Sequence, residues 1–173
     1  MGAVAGLYGR EVTGGTASFE LEPPTPAEMT ARLLAVLDKG LRWLVAEIDG
    51  AFAGYAYLSP FRPRAAYRYG VEVSVYVEEA TRGRGVARAL MTALIDAARE
   101  MGLRHVIAAI SQSATSDASI ALHRSLGFGT AGVYRQVGWK HDRWLDVTLM
   151  QLDLSPDGAP PTREGLRLGG GLA

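Results

Sequence analysis

Hydrophobic residues recur with two different periods along the chain, and the changes between them mark its elements. From Val71 to Val77 the run VEVSVYV alternates without a break, so four valines share one face of a strand and Glu72, Ser74 and Tyr76 share the other. Beyond it, Val86, Leu90, Leu94, Ala97 and Met101 keep helical spacing, and Gly102 ends that helix. Thr25-Pro26-Ala27-Glu28 combines a capping box with proline at the first helical position, which predicts a helix to about Asp38, stopped by Gly40. Residues 41–48 and 51–58 read as strands joined by Asp49-Gly50, a strong hairpin signal. A buried-type strand at 104–111, a short helix from Ser116 to Leu126 closing on Gly127, and two strands near 128–137 and 144–152 follow. Residues 4–12 read as the end of a short helix, and 13–24 as an extended segment punctuated by glycine and proline. This mixed order, with one strand–glycine loop–helix unit at its centre, predicts an α/β domain over 1–154. The remainder, 155–173, is rich in glycine and proline with little to bury, and is expected to be a disordered tail.

Composition narrows the function classes. Of 173 residues, 48% are hydrophobic and 21% charged, which suits one domain with a continuous core. Basic and acidic residues balance at 18 each, so no global field points to nucleic acid or a membrane surface, and a small molecule or another protein is the expected partner. No cysteine is present, which removes thiolate nucleophiles and thiolate-held metals and fits a reducing cytoplasm. The three histidines lack metal-ligand spacing, so no metal is expected. No apolar run approaches the roughly 20 residues that span a bilayer, and Arg10 and Glu11 interrupt the N-terminus before a signal core forms. A soluble protein is expected.

The unit from Val71 to Met101 carries the candidate chemistry. Glycines in Arg82-Gly83-Arg84-Gly85-Val86-Ala87 let backbone N–H groups converge, and the helix start behind them adds its positive dipole end, so the loop suits a phosphate. It lacks the Gly-Lys-Ser/Thr of a nucleotide-hydrolysing P-loop and the glycine spacing of a dinucleotide fold. An arginine-rich solvated turn is the plain alternative.

The same loop resembles the Arg/Gln-x-x-Gly-x-Gly/Ala signature of the GNAT acetyltransferase superfamily. The segments TASFELEPPTPAE, WLVAEIDGAFAGYAY, SPFRPRAAY, VEVSVYV, SIALHRSLGF and VGWKHDRWLDVTLMQLDL are similar, in order, to its phosphinothricin and methionine sulfoximine acetyltransferase branch. The similarity covers roughly residues 4 to 154. It implies the GNAT fold, a mixed central sheet flanked by helices. It also implies acetyl transfer from acetyl-CoA to the amine of a small amino-acid-like acceptor, in a homodimer. Members usually begin with an extra strand, so the first strand is expected to be missing here, leaving a sheet edge that a loop or dimerisation would cover.

The resemblance also assigns roles. Arg82, Gly83, Arg84, Gly85, Val86, Ala87 and Arg88 would hold the pyrophosphate, and Val75, Tyr76 and Val77 the pantetheine, the N–H near Val75 polarising the thioester carbonyl. Ser116 stands where the family usually has an asparagine against the pantetheine. Arg62, Pro63 and Arg64, with Glu72, Val73 and Ser74, would bind the acceptor, arginine being suited to a carboxylate. Glu72 would be the general base, against the plain reading of a solvated carboxylate on an edge strand. His123 would assist proton transfer, or simply satisfy the core. The family's tyrosine acid has no counterpart in 116–128, so Tyr134, Ser116, His123 and water stay open as proton donors. Tyr67 and Tyr69 either wall the acceptor pocket or pack. Acetylation of protein N-termini or lysines, and acyl-CoA sensing without turnover, remain the competing functions.

Overall fold

The computed structural model describes residues 1–113, 115–155 and 157–168. Two helices come first, α1 (Gly2–Thr13) and α2 (Pro26–Asp38), then strands β1 (Trp43–Ile48), β2 (Ala51–Pro60) and β3 (Gly70–Val77). Helix α3 (Val86–Glu100) leads to β4 (His105–Ser111), α4 (Ser116–Ser125), β5 (Gly129–Lys140) and β6 (Arg143–Asp153). The six strands form one sheet in the order β1-β2-β3-β4-β6-β5, antiparallel except for β3 and β4. The mixed sheet flanked by helices is the expected architecture.

Local chemistry explains most boundaries. The Thr25 hydroxyl accepts from the Glu28 amide while the Glu28 carboxylate accepts from the Thr25 amide, closing the capping box that starts α2. Asp49 and Gly50 both take positive φ, 52° and 77°, the geometry that a two-residue hairpin turn demands. Helix α1 spans 12 residues, Gly2–Thr13, starting before the 4–12 that the sequence pattern predicts. At the other end of the chain the β5–β6 hairpin is longer than its hydrophobic pattern predicts. His141 and Asp142 form the turn at φ 50° and 55°, a left-handed conformation that polar residues tolerate without supplying a glycine signal.

The two faces of the sheet build two apolar layers. Val71 and Val73 of β3, with Ala56, Leu58, Val106 and Met150, pack against Leu90, Met91, Leu94 and Ala98 of α3. On the opposite face Tyr55 and the half-buried Tyr57 and Tyr76 meet Val4, Leu7, Tyr8 and Val12 of α1 and Met29 of α2. A ladder of rings ties this layer together, with Trp43 stacked on Tyr57 at 4.4 Å and Tyr55 stacked on Tyr76 at 5.1 Å. The alternation read along β3 therefore separates two real cores.

The expectation of a disordered tail is corrected over its described part. Leu166 is only 6% exposed and sits in the α3-side core, with Leu168 against it. Arg104 donates to the Ser155 and Ala159 carbonyls, and Arg163 to the Glu100 carbonyl at the end of α3. Two leucines in LRL among glycines and charges are too sparse to register as a periodic pattern, yet one buried leucine and three carbonyl anchors suffice to dock a segment. Residues 156 and 169–173 of the expected tail lie outside the described residues. Leu166→Ala should lower stability by about 2 kcal/mol, a fall of roughly 4–8 °C in Tm for a chain of this size. A thermal melt checks this, and a solvated tail would leave Tm unchanged.

Candidate active site

β3 and β4 are parallel neighbours for only three residue pairs, Gly70 with His105, Val71 with Val106 and Glu72 with Ile107. Beyond Glu72 they part. β4 continues to pair with β6 as far as Ser111, and β3 continues to pair with β2 as far as Val77. A wedge therefore opens inside the sheet, with Glu72 at its apex.

The direction of the β3 backbone follows from its hydrogen bonds. The Gly70 carbonyl accepts from Phe61, and the Glu78 amide donates to the Ala53 carbonyl, so even-numbered residues turn their peptide groups toward β2. The odd-numbered ones face the other way, as the Tyr69 carbonyl does in accepting from Arg104. Val73, Val75 and Val77 thus present their N–H and C=O groups to the open wedge while their side chains pack on the α3-side core. Tyr76 is a correction to the expected cofactor set. Its peptide faces β2 and its ring packs between Tyr8 and Tyr55.

Glu72, Ser74 and Tyr76 project from the other face of β3. Glu72 lies on an interior strand, opposite Ser59 and beside Ile107, so the edge-strand reading of this carboxylate fails. Burial alone pushes its pKa above the ordinary glutamate range, with no cation beside it to pull it back. Ser74 stands opposite Tyr57 in the register. Tyr57, on the same face as Glu72, is a site residue that the hydrophobic pattern did not separate from the other aromatics of β2. Behind it, Arg32 forms a two-point ion pair with Glu20, and the Tyr8 hydroxyl donates to the same carboxylate.

The wedge opens toward the glycine loop. A single 3-10 turn, Glu79–Thr81, follows β3, anchored by the Thr81 hydroxyl on the Ala53 carbonyl. Gly83 and Gly85 then take φ 76° and 83°, conformations that side chains rarely adopt, and Gly85 is the N-cap of α3. With no side-chain cap on α3, the amides of Val86, Ala87 and Arg88 are left pointing out of the helix start. Arg82 forms an exposed 3.3 Å ion pair with Glu11, a contact weak enough to exchange for an anion. Arg84 is exposed, and among the described residues it has no acidic partner. The Arg88 side chain instead donates to the Ser125 hydroxyl, so that residue offers only its amide.

The remaining expected residues fall in three places. Phe61–Arg64 forms an exposed loop after β2, where the Arg62 guanidinium lies over the rings of Phe61 and Tyr67 at 5.1 Å and 5.9 Å. Neither Arg62 nor Arg64 is ion-paired among the described residues. Ser116 starts α4, its hydroxyl donating to the Ser113 carbonyl. His123 is 2% exposed, bonds the Ser119 carbonyl through Nδ1 and packs edge-on against Phe128, and burial lowers its pKa. These contacts fit the plainer reading of His123, a residue that satisfies the core. Tyr134 lies in the exposed part of β5. None of these three groups hydrogen-bonds Glu72 among the described residues.

Sequence reasoning also missed Lys140. It is 4% exposed and donates to the Ser18 and Glu11 carbonyls, fastening the α1–α2 connection to the β5–β6 hairpin. The same connection is held by the Thr16 hydroxyl on the Gln112 carbonyl and by Ser111 on the Thr16 carbonyl. A lone lysine at the end of a strand carries no sequence signal for such a place.

A parallel pair that opens beside a glycine loop and a bare helix start is a slot for an extended arm ending in phosphates. The profile of the Acetyltransferase (GNAT) family matches residues 12–128, which include the wedge and the loop. The chain belongs to the GNAT acetyltransferase family. Its relatives within the family are close. It is 46% identical over 153 residues to the phosphinothricin N-acetyltransferase of Alcaligenes faecalis, covering 88% of this chain and 77% of that one. It is 40% identical to the L-methionine sulfoximine/L-methionine sulfone acetyltransferase of Pseudomonas paraeruginosa, covering 91% of each. In structure it matches a phosphinothricin acetyltransferase of Sinorhizobium meliloti, solved in complex with acetyl-CoA, with a TM-score of 0.88 and 38% identity over 94% of this chain and 88% of that one. The enzyme is an acetyl-CoA-dependent N-acetyltransferase. No helix among the described residues is long and apolar enough to cross a membrane, and no group of three or more metal-ligating side chains gathers there.

Proposed function

We propose that the enzyme acetylates the amine of a small amino acid of the methionine sulfoximine, methionine sulfone or phosphinothricin type, by direct attack on acetyl-CoA. The observation that carries this reading is the place of Glu72. A half-buried carboxylate of raised pKa lies at the apex of a wedge whose walls offer unused peptide groups.

Acetyl-CoA enters as a substrate. Its pyrophosphate lies against the amides of Gly83, Gly85, Val86, Ala87 and Arg88, with charge from Arg82 and Arg84. Its pantetheine runs along the outward peptide groups of Val75 and Val77, near Ser116. The acceptor sits on the other face of β3 against Ser74, reaching the wedge-facing peptide group of Val73, with its carboxylate drawn to Arg62 and Arg64 beyond Pro63. Glu72 removes a proton from the acceptor nitrogen, directly or through water. The nitrogen then bonds to the thioester carbon, the Val75 N–H stabilises the oxyanion, and the carbon–sulfur bond breaks as the nitrogen's second proton passes to the departing thiolate, directly or through water, giving the N-acetyl product and free CoA. A thioester substrate and a chain without cysteine suit the cytoplasm.

The second copy of a homodimer is the occupant proposed for the β5–β6 hairpin. Val133, Tyr134, Val137, Trp139 and Trp144 are each 44–55% exposed, and the two tryptophans, paired across the strands, meet edge-on at 5.2 Å. An apolar patch of this kind is covered economically by an isologous contact with itself.

Kinetics test the base. Glu72 acts only when deprotonated, and burial raises its pKa, so the acid limb of kcat/KM lies above the ordinary glutamate value of about 4.3. Glu72→Gln should lower kcat by roughly 10²–10⁴-fold and remove that limb while acetyl-CoA still binds. Wild-type turnover in this variant would eliminate Glu72 as the base. For the dimer, sedimentation should give twice the 18.5 kDa chain mass, and Trp144→Glu should return it to one. A wild-type monomer at micromolar concentration would refute the assembly.

A further inference from the structure

We propose that the C-terminal segment Arg163–Leu168 is a positioning strap that holds the loop Phe61–Tyr69 in the geometry that receives the acceptor. The proposal rests on the reading of Arg62 and Arg64 as the acceptor's carboxylate clamp. It adds that these arginines are aimed from behind by residues far away in sequence.

The loop has few supports of its own. Its base is closed by the Phe61 amide on the Gly70 carbonyl, and its single 3-10 turn, Ala65–Tyr67, by the Tyr67 and Arg68 amides on the Arg64 and Ala65 carbonyls. Residues 62–68 are all exposed, and none of them contributes to either apolar core. A segment held at its base, by one turn and by the exposed stacking of Arg62, Phe61 and Tyr67 opens locally at little cost.

The strap supplies what the loop lacks. The Leu166 amide donates to the Arg68 carbonyl at 2.8 Å, and the Tyr69 hydroxyl donates to the Arg163 carbonyl at 2.9 Å. The strap is itself anchored by the buried Leu166 side chain and by the Arg163 guanidinium on the Glu100 carbonyl at 2.6 Å, a cation at the negative end of α3. The far side of the loop is thereby fixed to the main core through six residues that touch nothing in the wedge. Between loop and strap lies an open cleft of about 430 Å³, lined by Ala65, Arg68, Glu164, Leu166, Arg167 and Leu168.

Gly165 is the point at which this contact can be broken alone. Its φ is +74°, and a Cβ there would stand 2.8 Å from the Arg68 carbonyl oxygen and 2.8 Å from the Tyr69 ring. Alanine at this position must push the strap away from the loop without touching a catalytic group.

Gly165→Ala in the full chain is the test, read by hydrogen exchange and by kinetics with methionine sulfone. Exchange of the amides in 61–69 should quicken about tenfold or more, with those in 83–89 unchanged. The acceptor KM should rise about tenfold while kcat and the acetyl-CoA KM stay within about twofold. Tyr69→Phe, which removes only the hydroxyl contact, should move both readouts in the same direction by less, and it decides the matter if Gly165→Ala does not fold. Unchanged exchange in 61–69 overturns the strap. Faster exchange with an unchanged acceptor KM overturns its link to the acceptor, provided Arg64→Ala raises that KM. If Arg64→Ala also leaves the acceptor KM unchanged, the carboxylate clamp is the reading that fails, and the link of strap to acceptor falls with it.

Discussion

The parting of β3 and β4 after Glu72 is the constraint on which the rest of the structure depends. Two parallel strands buried in a sheet normally satisfy each other's peptide groups, and an unsatisfied buried peptide is costly. Here the separation is kept because each strand has another partner, β2 on one side and β6 on the other. The β5–β6 hairpin, the α3 core and the aromatic layer under α1 all hold these outer partners in place. The peptides of Val75 and Val77 stay available, and a thioester arm can complete the sheet where a strand would otherwise lie.

The two faces of β3 have different neighbours. Its valines belong to the α3-side core, and the glycine loop that follows β3 opens α3, so the strand's fit to its helix also sets the phosphate site. Its polar residues share a face with Tyr57 and Tyr55, and burial raises the pKa of Glu72. On the proposed reading, a carboxylate in this setting is a better proton acceptor than one in solvent. On that reading, acceptor chemistry works on the Glu72 face of β3 and cofactor chemistry at its wedge-side edge.

Much of this was legible in the sequence because it is local. The alternation of 71–77, the capping box at Thr25, the Asp49-Gly50 turn and the glycines at 83 and 85 each carry their own geometric reason, and each is found where expected. What was not legible depends on distant contacts. His123 looks like a proton carrier in sequence but is enclosed by Phe128 and the Ser119 carbonyl. Tyr76 shares the strand with three wedge-facing valines yet turns its peptide the other way, a matter of which neighbour each residue pairs with. Lys140 and Leu166 are single residues whose burial is decided by segments more than 90 positions away. Periodicity cannot register one residue, so the clamp on the α1–α2 connection and the docked C-terminal segment emerge only from the fold.

Amide hydrogen exchange with and without acetyl-CoA tests the central claim most directly, because the wedge is defined by backbone groups rather than side chains. The account predicts new protection confined to Val75 and Val77 and to the amides from Gly83 to Arg88, with the amides of Ser74 and Tyr76, already bound to β2, unchanged. Protection at the glycine loop without any at Val75 and Val77 would contradict it, since the arm would then lie outside the parted strands.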